Sequence, residues 1–388
     1  MGGGDDAAFL EDIRAFLARE LTPDLREASR RTVGVYTDVA SGLVWHRRLH
    51  ARGWIAPAWP AQWGGAGWSA RQRYLWDREC ALNDAPVLFA AGVRSLGPLL
   101  IEAGTAAQRA EHLPRILSGE ALWCQGFSET GAGSDLAGVA TRAAQDGDDY
   151  LVTGAKVWTT GAHLSNWMFA LVRTADGDRK QAGLTFLLID MASAGISVSP
   201  IRDISGEHEL NQVFFDAVRV PVANRVGAEN DGWVVAKRLM QLARSNNTPA
   251  ALVRRSLNRV RRVVTEDAAA DPALRRRLAE LEIELEAFTA LELAALPEGR
   301  PEASAVSAPS MVKLVGTELH QKVHALGVDV ACAAGAPHLA AGEFGDPELD
   351  AAQLFMAKHL AGRASTIYSG SSETQRNVIF RGRLGSRP

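Results

Sequence analysis

Residues 125–135 read Gln-Gly-Phe-Ser-Glu-Thr-Gly-Ala-Gly-Ser-Asp, and residues 154–161 read Gly-Ala-Lys-Val-Trp-Thr-Thr-Gly. The first segment combines glycines, which let a backbone approach a ligand closely, with hydroxyl side chains and with N–H groups that favour anionic or carbonyl oxygens. In the second, an indole stands beside two threonines and can cover a flat ring while the hydroxyls meet its polar edge. A glycine-rich loop alone fits a simple turn equally well, but together the segments predict one wall of a ligand site.

The same part of the chain is rich in short β-prone runs. Residues 167–172, 184–189 and 212–215 are such runs, and Asp-Gly turn signals lie between them. Strands that follow one another without intervening helices indicate a mostly antiparallel sheet or barrel and argue against a Rossmann unit. We therefore predict a β domain over residues 122–228.

Helical periodicity precedes this β domain. Apolar residues from Phe9 to Leu21 recur at spacings of three and four, and further helices are expected over residues 69–83, 88–103 and 106–118. The segment between the first helices holds four tryptophans among glycines and prolines, and we expect these rings to plug the core. Residues 1–121 are thus predicted to form a helical domain.

Helical periodicity also follows the β domain. Five apolar residues step by four, three, four and three, which is a heptad seam suited to a helix bundle. They are Leu274, Leu278, Leu281, Leu285 and Phe288. A Pro/Ala/Ser-rich linker is expected over residues 297–309. The whole chain is therefore predicted to be α+β, with a helical-bundle domain over residues 229–388 and an interface between chains along that bundle.

Composition narrows the function classes. The 388 residues carry a net charge of −3, so the chain has no overall positive charge that would attract nucleic acid or an anionic membrane. Three separated cysteines form neither a disulfide ladder nor a metal knuckle, and the absence of a long apolar run predicts a cytoplasmic protein without a membrane span. His46 and His50 have metal-compatible spacing but no third ligand, so we expect surface histidines and no metal. The segment 207–209, Glu-His-Glu, is expected to be solvated.

Further motifs accompany the two quoted segments. They are Trp59-Pro60 before Gly64-Gly65, residues 214–221 (Phe-Phe-Asp-Ala-Val-Arg-Val-Pro), residues 227–233 (Gly-Ala-Glu-Asn-Asp-Gly-Trp) and residues 367–377 (Ile-Tyr-Ser-Gly-Ser-Ser-Glu-Thr-Gln-Arg-Asn). In order and spacing the set resembles the acyl-CoA dehydrogenase family over nearly the whole chain. That resemblance implies a helical N-terminal domain, a central β-barrel-like domain and a C-terminal four-helix bundle, with FAD between them.

The resemblance also implies site residues. The positions that match flavin contacts are Gln125, Phe127, Ser128, Ser134, Trp158, Thr159, Thr160, Gly370, Ser371 and Glu373. Trp158 matches the residue that packs on the isoalloxazine ring, and Thr160 one that approaches its N5 side. Ser134 also matches a contact to the CoA part of the substrate, and Arg244 an arginine beside the thioester.

The family reaction is α,β-dehydrogenation of an acyl thioester, in which a carboxylate removes the α-proton while hydride leaves for the flavin. Members supply that carboxylate from the C-terminal turn or from the helix after the barrel. Here Ser369 occupies the first position and Ala243 the second, and neither side chain can serve unaided as the base. The segments with which relatives hold FAD across a dimer are not visible in residues 250–300 and 333–350 either.

Three functions stay open. The favoured function is that of an FAD-dependent dehydrogenase of a CoA or carrier-protein thioester with a relocated or borrowed base, passing electrons to an acceptor such as an electron-transfer flavoprotein. The alternatives are a flavoenzyme whose chemistry needs no carboxylate, by elimination or biosynthetic oxidation, and a non-catalytic subunit paired with an active homologue. A homodimer, a tetramer or a heteromer with a homologous chain would suit these functions.

One cation stands out in the segment that lines the acyl pocket in relatives. Arg94 lies in an otherwise apolar helix, and a buried guanidinium needs an anionic partner. The expected partners are Glu79, Asp84 or Glu102. The alternative is that Arg94 binds a distal acidic group on the acyl chain.

Overall fold

The N-terminal helices enclose the predicted tryptophan core. A computed structural model describes residues 3–242, 248–264, 271–297, 307–333 and 347–384. The helices that precede the sheet are α1 Gly3–Glu20, α2 Pro23–Arg31, α3 Val39–Arg52, α4 Ala70–Leu82, α5 Gly97–Ala103 and α6 Ala106–Ser118. Trp59 is buried and its Nε1 donates to the carbonyl of Val93 at 2.9 Å. Trp54, Trp68 and Trp76 pack edge to face, so these rings fill the core as expected.

Helix starts in this domain follow from their caps. Ser69 and Gln72 form a reciprocal capping box at the start of α4, and Thr105 and Gln108 form another at the start of α6. The prediction of a helix over residues 88–103 is wrong at its start, because the helical residues begin only at residue 91. A π-helical turn over Gly92–Leu96 then precedes α5. Pro98 explains the irregularity, since it has no N–H to donate to the preceding turn.

His46 corrects the expectation of a surface histidine. Its ring is buried and Nε2 lies 3.0 Å from the carbonyl oxygen of Leu117, whereas His50 is exposed as expected. Burial lowers the pKa of His46, so it behaves as a neutral core residue. No cluster of three potential metal ligands occurs among the residues with described positions.

The β domain is a single, mostly antiparallel sheet, as predicted. Its strands are β1 Trp123–Gly126, β2 Arg142–Asp146, β3 Asp149–Lys156, β4 Trp167–Arg173, β5 Leu184–Asp190, β6 Ile196–Ile201, β7 Leu210–Pro221 and β8 Arg225–Val226. The order is β6-β7-β3-β2-β4-β5-β8, and β1 adds to β4 in parallel. β4 and β5 are buried almost throughout, which explains their unbroken apolar runs.

The C-terminal domain is again helical. Its helices are α7 Gly232–Leu242, α8 Ala250–Val263, α9 Pro272–Ala294, α10 Ala308–Ala333, α11 Pro347–Ala361 and α12 Ser372–Leu384. Four of the five heptad residues on α9 are buried and Leu278 is partly buried, packing against residues of α8 and α10. The α+β fold class is thereby confirmed. Within the part of the chain that is described, no helix is long and apolar enough to cross a membrane. Most of the expected linker lies outside that part.

Candidate functional site

A buried lysine holds the two ligand-wall segments together. Lys156, at the end of β3, is fully buried, and its Nζ donates to the carbonyls of Phe127 and Leu171 at 3.3 and 2.6 Å. Nζ also pairs with the Glu129 carboxylate at 2.6 Å. The backbone N–H of Val157 donates to the carbonyl of Ser128, so residues 127–129 and 156–157 form one unit. The sequence analysis gave this lysine no role. The alternation of side chains along β3 would have placed Lys156 on the same buried face as Val152.

The pair of Lys156 and Glu129 is the part of the wall whose burial costs most electrostatic free energy. Desolvation is the main influence on Lys156 and lowers its pKa to about 8, although Glu129 opposes the shift. Desolvation pushes the pKa of Glu129 upward, but Lys156 and the N–H groups of Ala140 and Thr141 bring it below its usual value. Removing either charge would leave the other buried without its partner.

Trp158 presents its indole outward from a strained backbone. Its φ is 60°, in the left-handed region that non-glycine residues rarely adopt, and its side chain is 57% exposed. Large aromatic residues are normally buried, so an exposed indole on a strained, well-supported turn is typical of a ligand contact. Gln125 on β1 is likewise exposed and Ser128 is partly buried.

Thr159 supplies a polar atom without a protein partner. Its side chain is buried, and its Oγ1 has no hydrogen-bond partner among the described residues. The buried Asn211 fixes the backbone here: Thr159 N–H donates to its carbonyl, and its Nδ2 donates back to the carbonyl of Thr159 at 3.0 Å. Thr160 is partly buried. Buried hydroxyls normally have hydrogen-bond partners. The unpaired Oγ1 of Thr159 therefore fits a site in which a bound ring offers a polar atom to it.

Phe127 and Ser134 are placed differently from their neighbours. Phe127 is buried and packs edge to face on Phe169 and Phe186, so its ring belongs to the core and only its backbone is available to a ligand. Ser134 is exposed, beside a shallow cleft lined by Gly131, Asp135, Gly138, Arg173, Asp176, Gly177, Asp178, Arg179 and Lys180.

The C-terminal turn is held by hydrogen bonds to its carbonyls. Lys313 Nζ donates to the Gly370 carbonyl at 2.8 Å, and Gln375 Nε2 donates to the same carbonyl at 3.1 Å. Ser371 Oγ accepts from the backbone N–H of Thr374 at the start of α12. The pKa of Glu373, also in this first turn, is lowered by backbone and Ser371 hydrogen bonds.

No carboxylate occupies the C-terminal base position. Ser369 has a φ of 55° and an exposed side chain that ends in a hydroxyl. The other family position, Ala243, and the neighbouring Arg244 lie outside the described residues. The C-terminal turn therefore offers a hydroxyl, and no carboxylate, at this position.

The acidic loop before β7 is not simply solvated, which corrects the expectation for residues 207–209. The Glu209 carboxylate accepts the backbone N–H groups of Val35 and Tyr36 at 2.8 and 3.2 Å and so ties the loop to the N-terminal domain. The carbonyl of Glu209 also accepts the N–H of Gly161. Desolvation raises the pKa of Tyr368 in the C-terminal turn to about 12, and the charges of Glu209 and Tyr36 contribute to the shift.

The expected partners of Arg94 are wrong, because other arginines occupy all three carboxylates. Those ion pairs are Arg14–Glu79, Arg30–Asp84, Arg259–Asp84 and Arg238–Glu102. Arg94 itself is exposed, not buried as the sequence suggested. Burial raises the pKa values of Asp77, Cys80 and Tyr36, and the charge of Arg94 opposes each of these shifts.

These features fit a flavin on chemical grounds. An exposed indole, an unpaired buried hydroxyl and a loop rich in N–H and hydroxyl donors suit a flat ring with a polar edge. The residues present are therefore compatible with the cofactor that the sequence resemblance implies.

Comparison with known proteins identifies the family. The acyl-CoA dehydrogenase N-terminal, middle and C-terminal domains match residues 4–120, 124–218 and 230–384. Acyl-CoA dehydrogenase IpdE1 of Mycobacterium tuberculosis is 40% identical over 348 residues, covering 88% of this chain and 87% of that protein.

Solved structures agree with that result. The Tcur3481-Tcur3483 steroid ACAD has a TM-score of 0.84 at 27% identity, covering 100% of this chain and 98% of its own. The ChsE4-ChsE5 complex from Mycobacterium tuberculosis has a TM-score of 0.82 at 29% identity, covering 99% and 98%. The chain belongs to the acyl-CoA dehydrogenase family.

Proposed function

We propose that this chain binds FAD and takes part in the α,β-dehydrogenation of an acyl thioester. The observation that carries the proposal is the joined wall of residues 127–129 and 156–159, with Trp158 outward and Thr159 Oγ1 unpaired. When bound, the flavin would supply the hydride acceptor. Trp158 would cover the ring and Thr159 would donate to its polar edge. Gln125, Ser128 and Thr160 would complete the wall.

The adenosine end of the cofactor and the carrier arm of the substrate have separate candidate contacts. Gly370 and Ser371 directly precede α12 and Glu373 lies in its first turn, where N–H groups and hydroxyls can meet the dinucleotide. Ser134 stands beside a cleft in which three cations, Arg173, Arg179 and Lys180, are balanced by three aspartates, so its proposed contact to CoA or to a carrier-protein arm rests on its sequence match. Arg244 is proposed to lie next to the thioester, as its sequence match implies.

The α-proton must leave to a group that this turn does not provide. A serine hydroxyl at Ser369 is too weak a base at neutral pH, so this chain would bind and orient the thioester while a carboxylate from elsewhere takes the proton. An external acceptor, such as an electron-transfer flavoprotein, would then reoxidise the flavin.

A second candidate follows from the same missing carboxylate. The two structures described above are named as pairs of chains, Tcur3481-Tcur3483 and ChsE4-ChsE5. We propose that this chain likewise assembles with a homologous chain that carries the carboxylate, through the C-terminal bundle whose α9 exposes Ile283 beside charged residues. A flavoenzyme with base-independent chemistry is the remaining alternative.

Flavin content and flavin reduction separate these functions. The purified chain, alone and with a co-expressed homologous dehydrogenase chain, is analysed for bound FAD and then mixed anaerobically with saturated acyl-CoAs. The proposal predicts bound FAD in at least one of the two preparations and fast reduction only in the paired one. A colourless chain with no affinity for FAD in either preparation would exclude it. Bound FAD that no acyl-CoA reduces even in the pair would favour other chemistry.

A further inference from the structure

Asn211, near the start of β7, is a fully buried polar residue that holds the backbone of the wall. The backbone N–H of Thr159 donates to the Asn211 carbonyl at 2.9 Å. The side-chain Nδ2 of Asn211 donates in return to the Thr159 carbonyl at 3.0 Å. One residue therefore satisfies both backbone polar groups of Thr159.

Two stacked histidines fix the orientation of this amide. The rings of His163 and His208 lie with centroids 4.0 Å apart and planes 19° apart. Asn211 Oδ1 lies 2.8 Å from His208 Nε2, and Asn211 Nδ2 lies 3.0 Å from His163 Nδ1. Because the Thr159 carbonyl can only accept, Nδ2 must face it, and Oδ1 then accepts from His208 Nε2. The reversed amide would set two acceptors against each other at Thr159.

The segment that carries Asn211 is itself anchored through Glu209. The Glu209 carboxylate accepts the backbone N–H groups of Val35 and Tyr36 in the N-terminal domain. Its carbonyl accepts the N–H of Gly161 at 2.7 Å, two residues after Thr159. The amide of Asn211 is thus presented by a segment with its own supports, so it can hold Thr159 in place.

The hydroxyl of Thr159 depends on that support. Its Oγ1 is buried and has no hydrogen-bond partner among the residues that the structure describes. A threonine side chain has few allowed χ1 angles, so the position of Oγ1 follows the position of its backbone. Loss of the Asn211 side chain would release that backbone without removing any atom of Thr159.

We propose that Asn211 is a positioning residue for the flavin, which aims Thr159 Oγ1 through the backbone of Thr159. His208 and His163 hold its amide in the orientation that this requires. The inference rests on the proposed function, since it presumes that a flavin meets Oγ1. Asn211 makes no contact with the ligand itself, so its whole effect on flavin affinity passes through Thr159.

A double-mutant cycle on FAD affinity tests this route. The full-length apoprotein, with its co-expressed homologous chain if FAD binding requires one, is titrated with FAD and followed by flavin fluorescence. The variants are Asn211→Leu, Thr159→Val and the double variant. Asn166→Leu is the matched control, because Asn166 likewise donates to one backbone carbonyl, that of Glu120, and accepts one backbone N–H, that of Leu122. Neither contact involves residues 127–129 or 156–159.

The proposed route predicts that the two losses are coupled. Asn211→Leu should weaken FAD binding roughly tenfold when Thr159 is present, about the contribution of one hydrogen bond. In the Thr159→Val background the same change should alter FAD affinity by less than about twofold, since independent sites would instead give additive losses. Asn166→Leu should change FAD affinity by less than about twofold in both backgrounds.

A second variant tests the orientation of the amide and serves where Asn211→Leu does not fold. His208→Phe keeps a ring beside His163 but removes the donor to Asn211 Oδ1. It should weaken FAD binding roughly threefold, and only when Thr159 is present.

The outcomes separate this inference from the proposed function. If wild type binds FAD and the losses add in the double variants, Asn211 does not act through Oγ1, and the inference is wrong while the proposed function stands. Unchanged FAD affinity in both Asn211→Leu and His208→Phe would overturn it in the same way. If wild type binds no FAD, with or without a homologous chain, the proposed function and the inference fail together.

Discussion

The wall that is proposed to face a flavin, residues 127–129 and 156–159, and the C-terminal turn, residues 367–373, are built differently. The wall is fixed by a buried ion pair, Lys156 with Glu129, and retains an exposed indole and an unpaired hydroxyl. The turn is fixed by donors to the Gly370 carbonyl and carries Ser369 where many relatives place a carboxylate. The contrast supports the proposal that this chain keeps a wall suited to a flavin while its C-terminal turn supplies no base.

Restoring a carboxylate should give the largest effect. Ser369→Glu or Ala243→Glu should raise the rate of anaerobic flavin reduction by saturated acyl-CoAs by about 10²–10⁴-fold, the usual contribution of a general base. We expect more from Ala243→Glu, because Arg244 keeps the family register beside it. The glutamine variants at the same positions are matched controls that add bulk without basicity. An equal gain from glutamine would show that the missing base is not what limits the chain.

Breaking the ion pair of the wall should cost stability as well as flavin. Lys156→Met leaves Glu129 buried without its cation, so the free energy of unfolding should fall by about 3–5 kcal/mol. Chemical denaturation measures that loss, and FAD retention should fall with it. Lys180→Met is the control, because the Lys180–Asp135 pair is exposed and should contribute under about 1 kcal/mol. Similar losses for both variants would contradict the importance given to burial.

The same change in the turn should cost less. Lys313→Met removes one charged donor from the Gly370 carbonyl, which should lower the free energy of unfolding by about 1.5–3 kcal/mol. Gln375 still donates to that carbonyl, so the turn keeps part of its support. Denaturation of Lys313→Met beside Lys156→Met gives the comparison directly. A larger loss of unfolding free energy in Lys313→Met than in Lys156→Met would show that the turn, and not the wall, depends more on its lysine.

The smallest effect concerns the unpaired hydroxyl. Thr159→Val keeps the shape and removes Oγ1, so the protein without flavin should be as stable as wild type or slightly more stable. FAD affinity should fall by roughly tenfold, the usual contribution of one hydrogen bond. Fluorescence titration of the apoprotein with FAD measures it, and Thr153→Val, on the exposed part of β3, is the control. Unchanged affinity in Thr159→Val would remove the hydroxyl from the flavin contacts.

The sequence predicted those features that depend on local residue patterns. Apolar runs identified β4 and β5, heptad spacing identified α9, and quoted motifs identified the family. Contacts across domains could not be read in this way. Nothing near Glu209 in the sequence reveals that its carboxylate accepts from Val35 and Tyr36. The sequence also does not show that other arginines, and not Arg94, pair with Glu79, Asp84 and Glu102.

Burial inside the first domain was similarly hidden. His46 sits on a helix whose pattern suits a surface as well as a core, and only the packing of α3 beside α6 decides between them. At Ser369 the sequence shows that the carboxylate is missing, whereas the proposed base from another chain belongs to a different sequence.

We propose that this chain holds a flavin but lacks its own base. Anaerobic mixing of the unmodified, FAD-loaded chain with saturated acyl-CoAs, followed by flavin absorbance, is the decisive measurement. The chain alone should reduce its flavin very slowly or not at all. Fast reduction by the chain alone would show that one of its own residues serves as the base.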